Sequence, residues 1–179
     1  MTARHSVEKL SRMAIYIALG VALNLLESTL IPLGMVIPLP GARIGLANLV
    51  TLVAALTEST GFVWSVTIGR IFLASLFSGT FLSLPFALSL GGGILALLVM
   101  VNLRFLTPRV FSLAGLSIIG AVAHNIGQLL VLYLLMPGVG VLTFLPWLII
   151  LAVPSGWLNG VLASRIIKRL PEVGKDEDQ

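Results

Sequence analysis

Apolar residues run along this chain in long unbroken blocks, and the polar residues between them form short breaks rather than the second face of each element. The blocks lie at about 13–31, 45–57, 61–81, 84–102, 110–136 and 143–167. Such blocks predict membrane-spanning helices, because about 20 apolar residues are needed to cross a hydrocarbon layer ~30 Å thick. The second block is shorter than that, and the preceding stretch IPLGMVIPLPGAR is too rich in proline to be helix throughout.

Charge placement decides whether the second block counts. Between Met13 and Ser164 the formal charges are Glu27, Arg43, Glu58, Arg70, Arg104 and Arg109 alone. Arg4, Lys9 and Arg12 precede the first block, Arg104 and Arg109 separate the fourth from the fifth, and Arg165, Lys168 and Arg169 follow the sixth. Cationic clusters favour the cytoplasmic face, and only an even number of crossings between the clusters puts all three on one side. The expectation is therefore an all-α integral membrane protein, a bundle of six transmembrane helices with both termini cytoplasmic. A long outer loop, from Glu27 to Ile44, joins helices one and two. Residues 1–12 form a cytoplasmic amino-terminal segment, 13–170 the membrane domain and 171–179 a flexible cytoplasmic tail.

Composition agrees with lipid as the main solvent. Charged residues make up 10% and hydrophobic residues 58% of the 179 positions, where a soluble domain carries about a quarter charged residues. The net charge of +4 and pI near 10.1 fit helix ends meeting anionic headgroups, so no nucleic-acid partner is expected. The opening MTARHSVEKLSR lacks the features of a cleavable leader, and helix one is expected to stay in the mature protein. Cysteine is absent, which excludes disulfides and thiolate-held metals. No phosphate loop, nucleophile elbow, HExxH or paired-carboxylate motif occurs, and the first aspartate is Asp176, so the Asp-rich magnesium clamp of diphosphate chemistry is missing. No catalytic residue, metal or cofactor is expected.

Some residues are out of place on a lipid-facing surface. Arg70 lies near the middle of the third block, where insertion costs about 2.5–3.5 kcal/mol and the side chain normally faces a bundle interior or water cavity. It is either one half of a structural ion pair, with Glu27 or Glu58 as the available acids, or the receptor of an anionic ligand. In the fifth block His124 and Gln128 are four apart on one helical face, with Asn125 one step round it. Helix-to-helix hydrogen bonding accounts for such residues singly; three together point to a cavity wall.

Helix one has two faces. Ala14, Ala18 and Ala22 recur every fourth residue, while Asn24 and Glu27 project from roughly the opposite side. The alanines either pack inside the bundle or, if Asn24 and Glu27 face inward, present a smooth stripe to a partner in the membrane. Arg43 and Asn48 stand at the outer mouth of helix two, near glycines 41 and 45. Glycines 91, 92 and 93 suit a tight helix crossing.

The stripe AIYIALGVA on helix one, the long first outer loop and the six-helix count resemble the substrate-binding S component of an energy-coupling factor transporter. More closely, PGARIGLANLVTL at 40–52, the SGT and SLGGG stretches within 78–93 and GAVAHNIGQ at 120–128 resemble the bacterial family labelled Gx transporter or heptaprenyl diphosphate synthase component I, over nearly all of residues 10–170. The S-component resemblance implies a protein of the bacterial cytoplasmic membrane that captures a scarce nutrient from outside. It implies docking, through Ala14, Ala18 and Ala22, onto a transmembrane coupling subunit driven by two cytoplasmic ATPases. The family label implies instead a non-catalytic membrane subunit of polyprenyl diphosphate or quinone metabolism, and a stand-alone secondary transporter is the third possibility. From polarity and depth, the expected substrate-binding residues are Glu27, Arg43, Asn48, Arg70, His124, Asn125 and Gln128. The expected ligand is small and anionic, since Arg43 and Arg70 outnumber Glu27 in the outer half.

Overall fold

Each apolar block folds as a helix. In the computed structural model, which describes residues 2–30, 44–107, 109–137 and 140–170, α1 spans Thr2–Leu30, α2 Leu46–Thr57, α3 Thr60–Phe77, α4 Leu84–Leu103, α5 Leu113–Leu135 and α6 Leu145–Ile167. Single turns of 3-10 helix follow α4 at Arg104–Leu106 and precede α6 at Val141–Phe144. Local chemistry sets several starts. The Ser112 hydroxyl accepts from the Gly115 amide at 3.0 Å to cap α5, and prolines fall in the first turn of α4 and α6, where their missing N–H has no partner to lose.

Five of these helices are long and apolar enough to cross a membrane. The exception is α2, which at 12 residues is about 18 Å long. The reason it survives as a short element is its position. It packs against α1, α3, α4 and α6 at once, and eight of its residues are buried. Leu49, Leu52 and Val53 meet Ala96, Met100, Leu116 and Ala163 in one core cluster, and Val50 meets Phe62 and Val66 in another. The helix is thus largely apolar because protein encloses most of it, the polar exceptions within it being Asn48, Thr51 and Thr57.

The first helix starts at Thr2, so helix continues from the residues assigned to the cytoplasmic segment into the first block without a break. Of the long connection between helices one and two, residues 31–43 lie outside the described residues, as does the tail assigned to 171–179.

Glycine lets the later helices close up. A Cβ at Gly156 would come within 2.6 Å of the Ile118 Cα, and one at Gly160 would press on the Ala114 Cα, so α5 and α6 meet backbone to backbone. On the other side of α5, a Cβ at Gly127 would reach the Gly91 carbonyl oxygen at 2.5 Å. Gly91 thus serves the tight crossing that the glycine run suggested.

One pole of the bundle is tied by cations. Arg104 donates to the carbonyls of Ala55 at 2.8 Å and Glu58 at 3.2 Å and to the Thr60 hydroxyl at 3.1 Å. Arg12 stands 3.6 Å from the Glu58 carboxylate. Together they pin the turn between α2 and α3. Glu58 therefore belongs to this pole and is no partner for Arg70.

Candidate functional site

The opposite pole holds a cavity of about 510 Å³, within the range of about 300–1,000 Å³ usual for small-molecule sites. It lies where α1 and α3 end and α2 and α4 begin, and α5 and α6 complete its wall.

Arg70 reaches it from the third turn of α3. Its stem passes Gly20 of α1, where a Cβ would sit 2.9 Å from the Arg70 Cδ, so a glycine is what makes room for it. Its head is then held by α2. Nε donates to the Thr51 hydroxyl at 3.2 Å, and Nη2 donates to the Asn48 side-chain oxygen at 3.0 Å. Asn48 and Thr51, three apart, lie on one face of α2 and form a cradle of two neutral acceptors. Nη1 makes no hydrogen bond among the described residues and is left for the cavity that Arg70 lines. Arg70 is 5% exposed, and no described acid approaches its guanidinium to ion-pair distance. Its hydrogen-bond partners among the described residues are thus neutral groups, and a buried guanidinium of this kind can accept an anion.

Glu27 is close enough for its charge to act on the guanidinium, but its carboxylate forms its hydrogen bonds elsewhere. Oε1 accepts from the Gly45 amide and Oε2 from the Leu46 amide, both at 2.8 Å. A carboxylate across the first amides of α2 satisfies donors that the helix itself cannot and complements the positive end of its dipole. Gly45 is left-handed, with φ 77°, and turns the chain into α2 directly beneath Glu27. On the other side the Asn159 side-chain amide donates to the carbonyls of Ile44 and Gly45, at 3.3 Å each.

On α5, His124 and Gln128 both line the cavity. They cross α4 at Gly92, where a Cβ would meet the His124 Nε2 at 2.8 Å and the Gln128 Cγ at 2.9 Å. Gln128 is 3% exposed, and its Oε1 has no hydrogen-bond partner among the described residues. Leaving such a group unmatched costs about 1–3 kcal/mol. Asn125 also borders the cavity, but its amide turns to α6 and donates to the Leu148 carbonyl at 2.8 Å.

The cavity therefore brings together Glu27, Asn48, Arg70, His124, Asn125 and Gln128; Arg43 lies outside the described residues. Sequence reasoning missed Thr51 and the hydroxyl rim. Ser28, Ser75, Ser78 and Ser155 line the cavity while donating to carbonyls of their own helices at 2.8, 2.7, 2.7 and 2.9 Å. A serine bonded to its own helix looks neutral in an apolar run, and none of the four carried a signal that set it apart.

A family profile described as heptaprenyl diphosphate synthase component I matches residues 16–166. The chain belongs to this family. The match takes in all the described cavity residues and the polar face of α5. No curated protein and no solved structure matches the chain.

On the far side of α1, Ala14, Ala18 and Ala22 are exposed, while Glu27 is buried and Asn24 lines the cavity. Of the two readings of the stripe, packing inside the bundle is not what the described residues show. The same helix carries an inward polar face and an outward smooth one.

Proposed function

We propose that this protein is the substrate-capture subunit of an energy-coupling-factor-type importer in the bacterial cytoplasmic membrane. It binds a small anionic nutrient or cofactor precursor from outside. The observation that carries this reading is the unengaged Nη1 of Arg70, a buried cation without an ion-pair partner among the described residues, in a cavity remote from the pole that Arg12 and Arg104 tie together.

In this reading the tied pole faces the cytoplasm with both termini, the helices make six crossings with α2 as the second, and the cavity opens outward. Energy comes from partners: a transmembrane coupling subunit, which docks on Ala14, Ala18 and Ala22, and two cytoplasmic ATPases. The chain itself carries no nucleotide-binding motif and acts as a binding protein, not an enzyme.

Co-expression with a coupling subunit and its ATPases tests this. Stable co-purification and uptake that stops when ATP is withheld are the expected results. Formation of labelled polyprenyl product by the purified protein would support the metabolic role that the family description names. Proton-driven uptake without ATP would instead indicate a stand-alone transporter.

A further inference from the structure

The cavity holds a second unmatched group besides Arg70, and its chemistry narrows the ligand. Gln128 presents a primary amide, a carbonyl and an NH2 fixed side by side in one plane. It is almost wholly withdrawn from solvent, and its Oε1 has no partner among the described residues. Gly92 is cut away opposite it, so that the Gln128 stem and the His124 ring pass where a Cβ would collide at 2.9 and 2.8 Å. The glycine on α4 thus makes room for the Gln128 stem and the His124 ring.

The rest of the wall limits what can lie between the two groups. Phe86 is the one phenylalanine, tyrosine or tryptophan among the described lining side chains, and the apolar remainder mixes the small Ala47, Ala74 and Ala121 with Ile44, Ile71 and Pro85. Among the described lining residues, Phe86 is thus the one phenyl ring available to a ligand for stacking. The serine oxygens at 28, 75, 78 and 155, whose protons are already given to backbone carbonyls, present lone pairs and therefore favour donors on the ligand.

We infer that the ligand is a small acid carrying an amide-like edge, an N–H beside a C=O as in a lactam, ureide or primary amide. Its anionic group sits on Arg70 Nη1 and its edge is read by Gln128. This rests on the proposed capture role and deepens it. A planar amide pairs in two bonds with such an edge, as Asn and Gln do with a base edge bearing one donor and one acceptor. Acids without the edge would leave the buried amide unmatched and are rejected for that reason.

The test exposes purified full-length protein in nanodiscs to a deproteinised microbial metabolite extract and identifies what is retained by mass spectrometry. Wild type is compared with Arg70→Met, Gln128→Met and the near-isosteric Gln128→Glu. Since the Gln128 Oε1 bonds to no described residue, Gln128→Met is expected to elute as wild type does; should it not fold, Gln128→Glu decides. The expected result is an acid bearing adjacent N–H and C=O groups, lost in Arg70→Met and retained at least tenfold less by the Gln128 variants. If the Arg70-dependent compound lacks that edge, or the Gln128 variants retain it as well as wild type, the inference falls while anion capture stands. If wild type retains nothing beyond Arg70→Met, both fall.

Discussion

Glu27 and Arg70 line one cavity without pairing to each other, because each holds a different part of α2. Glu27 accepts the amides of Gly45 and Leu46, and Arg70 donates to Asn48 and Thr51 one turn further on. A carboxylate and a guanidinium from flanking helices thus position a short helix whose partly buried amino terminus borders the cavity. The arrangement keeps the acid engaged and the base available.

Glu27 is therefore expected to matter first for stability. Glu27→Gln keeps one acceptor for two amides and loses the charge at the helix terminus, a loss of about 1–3 kcal/mol. Thermal unfolding of the purified variant should show a lowered midpoint; an unchanged midpoint would mean that α2 does not depend on this cap.

Gly20→Val should displace Arg70 without touching its charge. The added side chain begins 2.9 Å from the Arg70 Cδ, and the stem, held at its head by Asn48 and Thr51, has little freedom to yield. Overpacking of this kind costs about 1–3 kcal/mol. Ligand retention should drop along with the unfolding midpoint, and retention at the wild-type level would show that Arg70 tolerates a shifted stem.

Two glycines should respond in opposite ways. Gly156→Ala puts a methyl 2.6 Å from the Ile118 Cα, where only backbone movement gives relief, and should separate α5 from α6 with clear loss of stability. Gly61, in the first turn of α3, has open space where a Cβ would stand, with nothing within 4 Å, and Gly61→Ala should stabilise by up to about 1 kcal/mol. Unfolding curves of the two variants check both signs.

Much of this was legible in the sequence, and the limit has a physical cause. Arg70, Glu27 and the His124–Gln128 pair stand out because a charge or a cluster of polar groups inside an apolar run is costly in lipid. The two faces of α1 follow from helical period alone. The partners of Arg70 do not, since Asn48 and Thr51 come from a helix reached only after the connection at 31–43, and Thr51 has no feature that separates it from other threonines in apolar helices. The length of α2 was visible as a short block, but only its enclosure by four helices explains why so apolar an element can be so short. Gly20, Gly156 and Gly160 were beyond sequence reasoning because a glycine does not say which neighbour it admits.

Ala18→Leu addresses the outward face. Ala18 is exposed in this chain, so a larger side chain should leave folding and ligand retention unchanged. Pull-down of the coupling subunit should nevertheless fail, and normal assembly would remove the stripe from the docking surface.

Native mass spectrometry of the protein extracted from its cell membrane, wild type beside Arg70→Met, tests anion capture most directly. A small anionic molecule bound to wild type and absent from a folded Arg70→Met variant is the result that the open guanidinium requires. Equal occupancy of the two proteins, or a wild-type protein that carries no small molecule, would contradict it.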